Sequence, residues 1–208
     1  MTHSLHRLGT KENLSQDYPM ICMSAHGWND EEGAGEKMGK FLEICRSNGA
    51  INYGDMKQGN IFVHEHDEIV KNISDYTLVQ CVFDDINKVK SVLDDLKEAD
   101  LGLSVVLTGL TDVARECCKE KGLELHTVSQ SLGIWGNTSR LPSKEILEIT
   151  TMCGHGMVSS SLVEHMIDDI KKGHTTPEKA AETLTKPCEC GIFNPKRAAK
   201  LLAAVAAK

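Results

Sequence analysis

The chain has 208 residues, of which 40% are hydrophobic, 25% charged and only 4% aromatic, and its formal net charge is −7. This length and composition predict a globular protein with a sizeable core, built as one domain or as one domain with a smaller appendage. The acidic balance argues against nucleic acid and anionic membranes as main partners, no apolar run is long enough to span a bilayer, and Met1 to Arg7 carry no apolar leader, so a cytoplasmic protein is expected.

Pro19 to Ala25 is a short apolar run of strand character. It leads into a polar loop, His26 to Gly33, that carries Trp28, Asn29 and three acids. A strand handing over to a helix is a common address for ligand sites in α/β folds. His26 is therefore a candidate catalytic residue, and Trp28 and Asn29 are candidate substrate contacts. Met38, Phe41, Leu42 and Cys45 mark one face of a helix from about 34 to 47, and residues 51–54 and 60–64 read as short strands or loop edges. His64 and His66 share one side of an extended chain, but the spacing specifies no third metal ligand.

From residue 78 strand and helix alternate. An apolar run at 78–83 is followed by a helix with Ile86, Val89, Val92, Leu93 and Leu96, then by strand 103–107, a helix over 111–121 that stops at Gly122, and a strand over 123–128. This alternation predicts an α/β body with a mostly parallel sheet, with an α+β ferredoxin-like core as the alternative for the middle β-α-β. The loop from Ser129 to Arg140 offers Trp135 as a further substrate contact. A boundary near residue 140 separates the 1–140 body from a helical, cysteine-containing segment, 141–208, that carries the metal-binding loops.

That segment holds the strongest chemical signal in the chain. Cys153 lies in Thr151-Met152-Cys153-Gly154-His155-Gly156, and Cys188 and Cys190 lie in Pro187-Cys188-Glu189-Cys190-Gly191, together giving C-x34-C-x-C. Each group is read as leading into a helix, where free amides and the positive dipole end favour a thiolate or an anionic cofactor. Structural zinc prefers C-x2-4-C, whereas the irons of a cluster can each take a different neighbouring cysteine. Three thiolates on a 4Fe-4S cubane leave one iron open. Cys22, Cys45 and Cys81 lie in apolar runs and read as core, and the adjacent Cys117 and Cys118 have no neighbouring groups that support catalysis.

No G-x-G-x-x-G or G-K-[ST] motif follows a strand, so nucleotide cofactors have no motif-level support. The expectation is an oxygen-sensitive iron-sulfur enzyme. Its open iron acts as a Lewis acid for a non-redox lyase reaction, either hydration or dehydration or else sulfur removal, on a small organic substrate. His155 moves protons or fills the fourth position. The alternatives are an electron-transfer or redox-sensing cluster protein and a structural zinc site made by Cys153, His155, Cys188 and Cys190. A homo-oligomer is compatible with either.

Overall fold

The computed structural model describes residues 4–29 and 32–208. Its strands are β1 (Tyr18–Met23), β2 (Asn52–Asp55), β3 (Gly59–Asn60), β4 (Leu78–Phe83) and β5 (Ser104–Leu107), and they form one sheet in the order β3-β2-β4-β1-β5. Every neighbouring pair is antiparallel, with Met20 opposite Cys81 and also opposite Leu107, and Tyr53 opposite Cys81. The expected mostly parallel sheet is thus corrected to an α+β arrangement.

The reason is topological. β1 and β2 run in the same direction but β4 lies between them, and β4 and β5 run together with β1 between them. Two split β-α-β units interleave, so a sequence that alternates strand and helix produces a sheet with no parallel neighbours.

The helices are α1 (Lys11–Leu14), α2 (Ala34–Ser47), α3 (His66–Lys71), α4 (Ile86–Ala99), α5 (Thr111–Glu120), α6 (Lys144–Thr150), α7 (Ser160–Lys171), α8 (Pro177–Thr185) and α9 (Pro195–Ala206). Both faces of the sheet are covered. Tyr18, Met20, Cys22, Val79, Cys81 and Phe83 pack beneath α2, α4 and α5. Their alternates, Ile21, Met23 and Leu78, join Val106 beneath residues of α6 to α9. Period-two alternation thus feeds two cores from one strand. The C-terminal helices do not stand apart, since they bury the second face of the body's sheet.

Local signals set the helix starts. Ser159, Thr176 and Asn194 each accept an amide from the first turn of α7, α8 and α9, and Pro177 and Pro195 occupy first positions where the missing N–H costs nothing. The strand expected at 123–128 is absent. The chain there leaves α5 without returning to the sheet, Leu125 and Val128 are exposed, and an alternating pattern with no partner strand makes no ladder. Among the described residues no helix is long and apolar enough to cross a membrane.

Candidate metal centre

The cysteines of the C-terminal segment come together. Cys153, Cys188 and Cys190 are all buried free thiols, the Cys153 thiol hydrogen-bonds with that of Cys188, Cys188 Sγ lies 3.9 Å from Cys190 Sγ, and Cys190 Sγ lies 3.8 Å from His155 Nδ1. The four groups make a file that ends on His155, whose flanking turn is exposed.

Asn194 and Pro195 open α9 just after the C-x-C turn as expected, but no cysteine of the three lies in the first turn of a helix, which corrects the expected dipole argument. Cys153 follows the end of α6, with its amide bonded to Thr150 O at 3.0 Å, and α7 starts only at Ser160. Cys188 likewise follows α8, its amide on Thr185 O at 3.0 Å. Helix C-termini carry the negative dipole end, so the dipole offers these sulfurs nothing. Individual amides do instead: Val158 and Met157 donate to Cys153, and Phe193 donates to Cys188.

Those amides are outweighed in the free thiols. The Cys188 thiol beside it, then burial, push Cys153 far above the ordinary thiol range despite the donors. The Cys153 thiol pulls Cys188 down, but Cys190 and burial carry it up to about 12. Three buried sulfurs in a file cannot all ionise unless a positive charge joins them. A metal would supply that charge.

The turn that carries two of these cysteines is pressed onto the sheet. Gly191 has φ +75°, and a Cβ there would fall 2.1 Å from Tyr53 C and 2.3 Å from Gly54 N. Gly54 mirrors it, since a Cβ would sit 2.4 Å from Gly59 O and 2.9 Å from Glu189 O. Asn60 Nδ2 donates to Thr185 O, Lys186 O and Cys188 O at 3.2, 3.3 and 2.9 Å, closing the end of α8, and Asn52 Nδ2 donates to Phe193 O at 3.0 Å.

A second anchor lies beside the turn. Asp17 is fully buried and takes Arg7 Nη1 at 2.8 and 2.7 Å and Arg197 Nη1 at 2.8 Å, while Arg7 Nη2 donates to Ile192 O at 2.6 Å. Burial lowers the pKa of Arg197, and Asp17 opposes that shift. Arg197 Nη2 also reaches Leu8 O, and Leu8 N donates to Thr151 Oγ1 at 3.0 Å. The N-terminal strap is therefore fastened to both cysteine-bearing segments. A Cβ on Gly9 would lie 2.5 Å from Arg197 Nη2, which is why the strap passes there on a glycine.

A cavity of about 330 Å³ opens beside Cys153, lined by His6, Thr150, Thr151, Gly154, Gly156, Val158, Ser159 and Ser160 as well. His26, Trp28, Asn29 and Trp135 are not part of this wall. Trp28 and Trp135 are 90% and 82% exposed, and Trp135 Nε1 caps Leu132 O at 2.8 Å. Asn29 is a brace, its Oδ1 accepting Ala25 N and its Nδ2 donating to Gly102 O. Asp30 and Glu31 of that loop lie outside the described residues. His64 and His66 do not converge either. His64 lies 3.4 Å from Glu68, whereas His66 Nδ1 meets Tyr53 Oη at 3.1 Å.

Sequence reasoning missed His6, Asn52, Asn60, Gly54 and the triad of Arg7, Asp17 and Arg197. The available signals were asparagine within two short strands and glycine opposite a C-x-C turn. Among the described residues, no three or more His, Cys, Asp or Glu side chains are placed to hold a single metal ion as they stand. No family model, curated protein or solved structure matches the chain.

Proposed function

We propose that Cys153, Cys188 and Cys190 hold a 4Fe-4S cluster whose fourth iron faces the cavity, and that the protein is a lyase acting on a small organic molecule. The carrying observation is the file of three buried cysteines with a cavity at its Cys153 end. A cluster gives each thiolate its own iron, which accommodates the one-residue spacing of Cys188 and Cys190 once the sulfurs spread from their present contact. An iron without a protein thiolate is free to bind and polarise a substrate oxygen or sulfur. His155, beside Cys190 and between Gly154 and Gly156 of the cavity wall, is the proton carrier of this reading.

A second reading is favoured by two distances. In a tetrahedral zinc site with bonds near 2.3 Å, neighbouring sulfurs are about 3.8 Å apart. The 3.9 Å between Cys188 and Cys190 and the 3.8 Å to His155 lie close to that edge, so a structural Cys3His zinc site is the competitor.

Metal and acid-labile sulfide analysis of anaerobically purified protein separates the two. About four irons with matching sulfide per chain supports the cluster. One zinc without sulfide refutes it. If the fourth iron is open, mild oxidation should remove it and leave a paramagnetic three-iron cluster, and ferrous iron with reductant should restore it.

A further inference from the structure

We infer that the cavity beside Cys153 is an oxyanion site, taking the carboxylate or phosphate of a short hydroxy acid or phosphoester, and that His6 on the N-terminal strap is a substrate-binding residue in it. The inference rests on the metal-centre reading only for the reacting end of the substrate.

The wall of the cavity carries the argument. Its polar side chains are the His6 imidazole, the hydroxyls of Thr150, Thr151, Ser159 and Ser160, and the Cys153 thiol. The chain has 30 acidic residues and a net charge of −7, yet no carboxylate stands in this wall. A cation would find no counter-charge here. An anion finds hydrogen-bond donors and the one wall residue that is able to carry positive charge.

His6 is delivered to this place by buried interactions. Arg7 is held by Asp17 and Ile192 O, and Leu8 is held through its amide by Thr151 and through its carbonyl by Arg197. Ser131 Oγ meets Nδ1 of His6 at 3.1 Å and sets the ring. These anchors fix the backbone directly after His6, and Ser4 Oγ meets Thr108 Oγ1 at 2.9 Å before it, so the imidazole at the cavity is a held group and not a loose terminus. Thr151 is already committed, accepting from Leu8 N and donating to Leu147 O at 2.6 Å, and Ser159 accepts Leu162 N at 3.2 Å. Thr150, Ser160 and His6 are therefore the side chains best able to turn to a ligand. Ser160, which lines the wall, is the first residue of α7, and its amide precedes the first helix-satisfied donors.

The volume of about 330 Å³ is at the small end of ligand sites, which suits a molecule of a few carbons. With the oxyanion at His6 and Ser160 and the metal at Cys153, the group that meets the metal lies only a few bonds from the oxyanion. A short 2- or 3-hydroxy acid, or its phosphorylated counterpart, meets both ends.

Calorimetric titration of anaerobically purified full-length protein with malate, succinate, inorganic phosphate and glycerol tests the site. Malate or phosphate should bind and glycerol should not. Malate without phosphate identifies a carboxylate, and the reverse a phosphate. His6→Gln and Ser160→Ala should each weaken binding about tenfold, with metal content and thermal midpoint unchanged. Binding of glycerol as tightly as the anions, or wild-type anion affinity in both variants, would overturn the inference. So would silence from every anion in protein that holds iron and sulfide, and that result would leave the cluster reading standing. Succinate binding as tightly as malate in protein that lacks iron would do the opposite: the oxyanion site would stand and the cluster reading would fall.

Discussion

The two faces of the sheet each bury a trio of cysteines, and the first face buries Cys117 and Cys118 of α5 as well. Cys22, Cys45 and Cys81 lie under α2 and α4, and Cys153, Cys188 and Cys190 lie under the C-terminal helices. The first trio comes from β1, α2 and β4, each at a position that the strand or helix period sends inward. Cys45 Sγ lies 3.3 Å from Cys81 Sγ in an apolar setting, and neither lines the cavity beside Cys153. The second trio sits in turns, two of its sulfurs, Cys153 and Cys188, receive backbone amides, and Cys153 borders a cavity with a polar wall. Burial and sulfur proximity are thus common to both. What separates a site from a core is the donor amides and the access, and only turns provide those, because helix and strand amides are already spent on their own ladders.

The largest expected effect tests whether the turn depends on its contact with the sheet. Gly191→Ala places a Cβ within 2.1 Å of backbone in β2 at a φ of +75°, and backbone cannot step aside as a flexible side chain can. A loss on the order of 4 kcal/mol is expected, with metal content falling alongside it. Urea unfolding and metal analysis check it, and a variant that unfolds and loads like the parent would show that the turn is not pressed on the sheet as described.

A smaller effect sharpens the contrast between the trios. Cys188→Ser should remove the bound metal, whereas Cys45→Ala should leave metal content intact and cost about 1–2 kcal/mol of stability through lost core packing. Equal metal loss in both would erase the distinction between site and core.

Much of this contrast was legible in the sequence, and the reasons differ by level. Periodicity gave β1, α2, β4 and α4 and named Cys22, Cys45 and Cys81 as core, because their neighbours repeat at strand or helix spacing. Glycine and proline marked the turns around Cys153, Cys188 and Cys190 as irregular backbone. Strand order was not legible, because a split β-α-β and a simple crossover share one linear pattern, and the neighbours of β1 come from residues 78–83 and 104–107. The strap was not legible either. Residues 4–10 have no period, and the meaning of Arg7 resides in Asp17 and Ile192, one of them 185 positions away. Placing Cys153 at a helix start failed for a local reason: six residues of turn separate it from Ser160, and the apolar pattern beginning at Val158 does not reveal where the backbone becomes helical.

The smallest effect concerns the core trio alone, and it appears as a dependence on pH. Burial, with Cys81 adding to it, pushes the Cys22 thiol up to about 12 from an ordinary value near 9. In the unfolded chain this thiol ionises near 9, whereas in the folded protein it stays protonated until about 12. Stability from this group is therefore fully present below about pH 9 and is lost progressively as pH rises toward 12, since the folded state binds the proton more tightly than the unfolded state does. Each pH unit in that window is worth about 1.4 kcal/mol for one thiol. Burial also raises Tyr18 and Cys45, so the whole protein should weaken more steeply than one group predicts. The difference between parent and Cys22→Ala isolates the single thiol. Urea unfolding at about pH 8 and about pH 10.5 should show the parent losing roughly 2 kcal/mol more than the variant over that interval. Equal losses would mean that Cys22 reaches solvent when the protein is folded, and the line drawn between a sealed core trio and an accessible site trio would then have to move.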